Sequence, residues 1–142
     1  MFWDSSAVVP LLLPDIRSAA LATLLRSDTD PVLWWASPVE CQSALHRRHR
    51  EGGLPSAALA QALERLKALV VDVDMVAPTH PLRERAGRLV AAHPLRAADA
   101  LQLAAALVWC DESPQGTAFV CLDERLADAA RLEGFSVLPD SH

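Results

Sequence analysis

The sequence predicts an α/β protein in which a central parallel sheet of four to five strands lies between layers of helices. Three observations predict it. Short apolar runs of β type alternate with longer runs of helical spacing along the whole chain, as in strands joined by helical crossovers. Hydrophobic residues make up 51% of the 142 residues and charged residues 22%, which suits a sheet covered on both faces. No repeat or low-complexity linker divides the chain, so residues 1–142 are expected to form one domain.

The elements follow in order. Met1 to Asp4 reads as the first strand and Ser5 to Leu13 as a short helix ended near Pro14. Residues 15–27 place Ile16, Ala19, Ala20, Thr23 and Leu24 on one helical face. PVLWW (31–35) is the second strand, with Trp34 and Trp35 assigned to the core. A helix then runs from Ser37 to about Glu51 and stops at Gly52 and Gly53. Leu59, Leu63, Leu66 and Leu69 carry a helix over 54–68, and VVDVDM (70–75) alternates as a half-exposed third strand. A helix over 80–92 and a long apolar helix over 93–110 come next. DESPQG (111–116) is a turn, TAFVCL (117–122) a strand, 123–134 a helix closed by Gly134, and FSVLP (135–139) a last strand.

Composition excludes several classes. The net charge of -5 argues against a protein that coats nucleic acid by bulk electrostatics, although His46, Arg47, Arg48, His49 and Arg50 form a local basic strip. No tyrosine is present, so a base-stacking platform of the RNA-recognition type is not expected. Cys41, Cys110 and Cys121 are widely spaced in apolar segments and indicate neither a disulfide framework nor a zinc motif. No apolar run approaches the roughly 18 residues of a membrane helix, and AVVPLLLP lacks a basic segment before it. A soluble cytoplasmic protein is the expectation.

Four acids fall where a strand ends or a helix begins: Asp4, Glu40, Asp99 and Asp123. Each has a plain structural reading. Asp4 and Asp123 are good N-caps, Ser37 to Glu40 reads as a capping box with proline at the first helical position, and Asp99 either opens a capping box with Gln102 or, since Ala97 and Ala98 favour an earlier start, stands in the first turn or two. In a parallel α/β sheet, however, all such junctions lie along the one edge where ligands bind. Two carboxylates about 4 Å apart repel by roughly 4 kcal/mol at an effective dielectric of about 20, so a cluster of them is not a device for stability. Asp99 is the strongest indication, because its neighbours in LRAADALQLAAALVW are apolar except for Arg96 and Gln102. An ionised side chain there needs a partner. Arg96, one turn away, is one candidate and a metal is the other. An all-oxygen donor set suits Mg2+ or Mn2+ better than zinc.

Together, WDSSAVVPLLL, SPVECQSALHRR, HPLRAADALQLAAAL and FVCLDERLADAARLEGFSVL resemble the PIN-domain ribonucleases, and among them the VapC-type toxins of bacterial type II toxin-antitoxin pairs. The resemblance spans essentially the whole chain. It implies a PIN-like α/β/α sandwich and an endoribonuclease with catalytic acids Asp4, Glu40, Asp99 and Asp123. Asp4, Asp99 and Asp123 are expected to bind Mg2+, with Glu40 orienting or deprotonating the attacking water or holding a second metal. It further implies an RNA substrate, a homodimer and a cognate VapB-like antitoxin. Arg47, Arg48 and Arg50 either track RNA phosphates or form a solvated helix face. Cys121 departs from the threonine or serine that relatives often carry there. A phospho-acceptor signalling domain fits poorly, since Lys67 is the only lysine and Ser5 and Ser6 stand where a second acid is needed. A haloacid-type phosphatase fits poorly for the latter reason. A catalytically silent PIN-like module is the remaining alternative, against which the complete quartet speaks.

Overall fold

The computed structural model of the protein describes residues 1–14 and 16–140. Five short strands, β1 (Phe2–Trp3), β2 (Val32–Trp34), β3 (Asp74–Val76), β4 (Ala118–Val120) and β5 (Ser136–Leu138), form one sheet in the order β3-β2-β1-β4-β5. Every pairing is parallel, with Phe2 opposite Val32 on one side and Phe119 on the other. The connections are α1 (Ser5–Leu12), α2 (Ser18–Ser27), α3 (Ser37–Arg50), α4 (Ser56–Asp72), α5 (His80–Ala92), α6 (Ala97–Trp109) and α7 (Glu124–Glu133).

Period-two alternation splits the core into two layers. Phe2, Val32, Trp34 and Phe119 face α5, α6 and α7, whereas Trp3, Leu33 and Val120 face α1 to α4. The ring of Phe2 stacks on Phe119 at 5.5 Å, and Phe119 meets Phe135 at the same distance. α6 is the most enclosed helix, with Ala100 and Gln102 through Leu107 all buried. The strand order reverses direction at β1 and β4: the chain steps outward to β2 and β3, then crosses back beyond β1. That reversal opens a crevice beyond the C-terminal ends of β1 and β4, the place where open parallel sheets bind ligands.

Several boundaries differ from the sequence expectation. Residues 70–72 belong to α4, and β3 begins only at Asp74. Leu66, Leu69 and Val70 continue the helical stripe onto the core, and this outweighs the alternation of VVDVDM. α2 starts at Ser18 and buries Leu21 with Leu24 and Leu25 against its layer, while Ile16 is 97% exposed. The apolar face is therefore rotated from the expected one, and residue 15 of the expected helix lies outside the described residues. α6 starts at Ala97 because Pro94 holds the preceding segment out of the helix. Trp34 is buried as expected, but Trp35 is 58% exposed.

Candidate active site

Local rules already place three of the four acids. Asp4 follows β1 in extended conformation, and its Oδ2 accepts from the Ser6 amide at 3.1 Å, capping α1. Its own amide donates to the Val120 carbonyl at 2.9 Å, which ties it to β4. Asp123 caps α7, with Oδ1 accepting from the Leu126 amide at 3.0 Å. Asp99 lies in the first turn of α6, after two alanines that extend the helix N-terminally. The capping roles assigned to Asp4 and Asp123 are thus real and coexist with their position at the crevice.

Ser37 does not cap α3; Ala36 occupies that position and contributes no side-chain bond. Ser37 and Glu40 are instead both bound by Gln102 of α6, whose Nε2 donates to Ser37 Oγ at 2.9 Å and to Glu40 Oε1 at 2.8 Å. The capping box is replaced by a bond between elements far apart in sequence. Gln102 is fully buried, and the sequence offered it only as a capping partner of Asp99, not as a residue of the site. A lone amide inside an otherwise apolar helix was the available signal.

The acids feel one another's charge. Burial, with the charges of Asp99 and Asp123, pushes the Asp4 carboxyl up to about 6 despite the Ser6 hydrogen bonds. Burial also pushes Glu40 up to about 7, with Asp4 and Asp99 adding to the rise and the Gln102 hydrogen bond opposing it. Asp99 is raised by burial and then by Asp123, and the positive charges of Arg96 and Arg125 only partly offset this. Among the described residues, none of the four forms an ion pair with a basic side chain. Arg96 is therefore not the neutralising partner of Asp99. Arg96, Asp99, Asp123, Glu124 and Arg125 line an open cleft of about 380 Å³. Arg125, not singled out from the sequence, and Arg96 give its mouth positive charge beside the acids.

Cys121 sits at the base of this arrangement, its thiol donating to the Asp123 carbonyl at 3.3 Å and to Asp4 Oδ2 at 3.7 Å. Ser6 Oγ accepts from the Leu122 amide at 2.9 Å, locking the end of β4 to the start of α1. Arg47, Arg48 and Arg50 are exposed in the last turn of α3, about 10 to 15 Å beyond Glu40 along the axis at 1.5 Å per residue. The fold does not bring them into the cleft. An apolar groove of about 780 Å³ between α3 and α4 is larger, but it contains none of the four acids.

The donor set is entirely oxygen, which fits a hard divalent cation. Among the described residues, no group of three or more His, Cys, Asp or Glu side chains is placed so that it could hold a metal ion. Mg2+ does not require one, because it keeps several waters and uses one or two carboxylates directly.

Fold and site together define a parallel α/β protein with an acid-lined cleft at the switch point of its sheet. A family profile described as PIN domain matches residues 1–132, and the chain belongs to that family. It is 33% identical over 141 residues to two Mycobacterium tuberculosis proteins named ribonuclease VapC45 and ribonuclease VapC49, covering 98% of this chain and 94% of each relative. Among solved structures, the M. tuberculosis sarcin-ricin loop cleaving toxin VapC20 matches with a TM-score of 0.65 at 21% identity, over 90% of this chain and 93% of that one. FitAcB from Neisseria gonorrhoeae matches at 0.66 and 15% identity, over 97% and 96%. These two likenesses establish the fold. Among the described residues, no helix is long and apolar enough to cross a membrane.

Proposed function

We propose that the chain is a Mg2+-dependent endoribonuclease toxin of the VapC type, hydrolysing RNA phosphodiester bonds and neutralised by a cognate VapB-like antitoxin. The observation that carries this reading is that Asp4, Glu40, Asp99 and Asp123 lie near enough to feel one another's charge, with Asp99 and Asp123 lining the cleft and, among the described residues, no ion-paired neutralisation. The names of its 33% identical relatives support the same chemistry. A net charge of -5 suits a basic antitoxin, and the homodimer that the family resemblance implies belongs to the same proposal.

Asp4 and Asp99 would hold the cation, Mg2+ or Mn2+, with Asp123 ligating directly or through water. When bound, it supplies neutralisation of charge at phosphorus and a lowered pKa for the attacking water. The remaining steps rest on the chain itself. Glu40, with its carboxyl near 7, is matched to accepting the proton of the attacking water at neutral pH. Arg96 and Arg125 flank the cleft and receive the phosphate that enters it. The helix-cap bonds of Asp4 and Asp123 hold those carboxylates still, so little reorganisation is needed when charge arrives. The family resemblance implies that the 3' oxygen leaves, giving 3'-hydroxyl and 5'-phosphate ends.

Purified protein freed of any bound partner is expected to cleave RNA with Mg2+ and to stop when chelator is added. Cleavage that persists in chelator would sink the metal mechanism. Light scattering on the same sample should report a dimer, and a monomer would remove that part of the reading.

A further inference from the structure

We propose that Gln102 is a positioning residue for the ribonuclease reaction, its side-chain amide clamping the Glu40 carboxylate to the buried Ser37 hydroxyl so that Glu40 is presented to the cleft in one orientation. This rests on the functional reading above. It begins from an amide whose location stability does not explain. Gln102 is fully buried in the most enclosed helix, beside Leu103, Ala104 and the rest of the apolar core, and its Oε1 has no hydrogen-bond partner. An orphaned buried acceptor costs about 1 to 3 kcal/mol, whereas methionine would fill the same volume without that cost.

The other end of the amide accounts for its place. Both Nε2 protons are used, one on Ser37 Oγ at 2.9 Å and one on Glu40 Oε1 at 2.8 Å. The network also fixes which way the amide points, because an ionised carboxylate accepts only and requires the nitrogen toward it. Ser37, fully buried at the start of α3, is the anchor that keeps the amide from rotating away. Glu40 lies one helical turn further along α3, so a single amide from α6 locks that turn to the helix that also carries Asp99. Two of the four acids are thereby held at a fixed separation by one side chain. A glutamate on an exposed helix face would otherwise sample several rotamers, and only some aim its oxygen into the cleft.

The test is a double-mutant cycle on RNA cleavage with Mg2+. Gln102→Met keeps the volume and removes both donors; we expect kcat to fall about 10- to 100-fold, the range typical for the loss of an orienting hydrogen bond to a site residue. KM should stay within about twofold and the melting temperature should change little, since the orphaned Gln102 acceptor is exchanged for a buried Ser37 hydroxyl that loses its amide. In a Glu40→Gln background the same change should have no further effect. Ser37→Ala is the second arm, expected to lower kcat less and also only when Glu40 is present, so a poorly folded Gln102→Met does not end the test. Wild-type kcat in both Gln102→Met and Ser37→Ala overturns the positioning role, as does an equal loss with and without Glu40. An inactive wild-type protein with Mg2+ would overturn the functional reading itself.

Discussion

Two groups of acidic side chains sit in the protein under opposite electrostatic regimes. Where α5 meets α7, Glu133 accepts from Arg85 Nη2 at 2.9 Å and pairs with His93 Nε2 at 2.6 Å, while Arg85 also pairs with Glu112 at 3.0 Å. Burial alone would raise the Glu133 carboxyl, but the His93 and Arg85 bonds hold it below the usual range. At the switch point, burial also raises Asp4, Glu40 and Asp99, and there the neighbouring acids add to the rise. Carboxylates bonded to cations reinforce a fold, whereas carboxylates that are buried together resist ionising until something positive arrives.

The sharpest way to break the comparison is to remove one charge from each cleft member. Asp99→Asn should reduce Mg2+-dependent cleavage by at least about 100-fold while leaving the melting temperature unchanged or higher, because a repelling charge is lost. A variant that unfolds instead would make Asp99 a structural ion. Asp4→Asn separates cap from site, since asparagine caps well; retained activity would reduce Asp4 to a cap.

The pH dependence of stability should differ in sign between the two regions. Asp4 and Glu40 have folded pKa values of about 6 and 7, above their ordinary 3.8 and 4.5. Between those limits the metal-free folded state binds more protons than the unfolded one. Their contribution is complete below about pH 4 and is lost as pH rises through 6 and 7, amounting to roughly 2 to 3 kcal/mol for Asp4. Melting curves in chelator should show this decline, and saturating Mg2+ should oppose it. Glu133 acts in the other direction, with stability present above the ordinary glutamate range and lost as pH falls through its lowered pKa. Glu133→Ala should cost about 1 to 2 kcal/mol, read as a lower melting temperature with cleavage retained below it.

The smallest effect concerns the exposed strip. Replacing Arg47, Arg48 and Arg50 together with glutamine should leave kcat unchanged and, if they meet RNA phosphates, reduce the salt slope of binding by up to about 2, at roughly 0.7 per phosphate. An unchanged slope would leave them a solvated helix face.

The sequence carries those parts of the protein that depend on near neighbours. The caps at Asp4 and Asp123, the αL turn at Gly134 and the first-turn location of Asp99 all follow from a few adjacent residues. What it conceals depends on distant partners. Ser37 looked like a cap because Glu40 stood three residues later, yet both answer to Gln102 on another helix. The α4–β3 boundary was obscure because Leu69 and Val70 satisfy a helical stripe while VVDVDM alternates, and only packing decides between them. The exposure of Trp35 was equally invisible, because it depends on how far β2 extends before α3 turns away.

The pairing of β1 with β4 has a consequence in time as well as in space. Asp4 is made long before the residues that complete its surroundings, for its amide is anchored on Val120 and its charged neighbours include Asp123. A nascent chain therefore lacks the fourth acid, and the β4 anchor of the first, until synthesis reaches the start of α7. Contacts of such long sequence separation also form late and slowly in folding. If the cleft cuts RNA, a ribosome that stalls before Asp123 releases no competent nuclease, and a partner that binds the completed cleft is not needed until that point has passed.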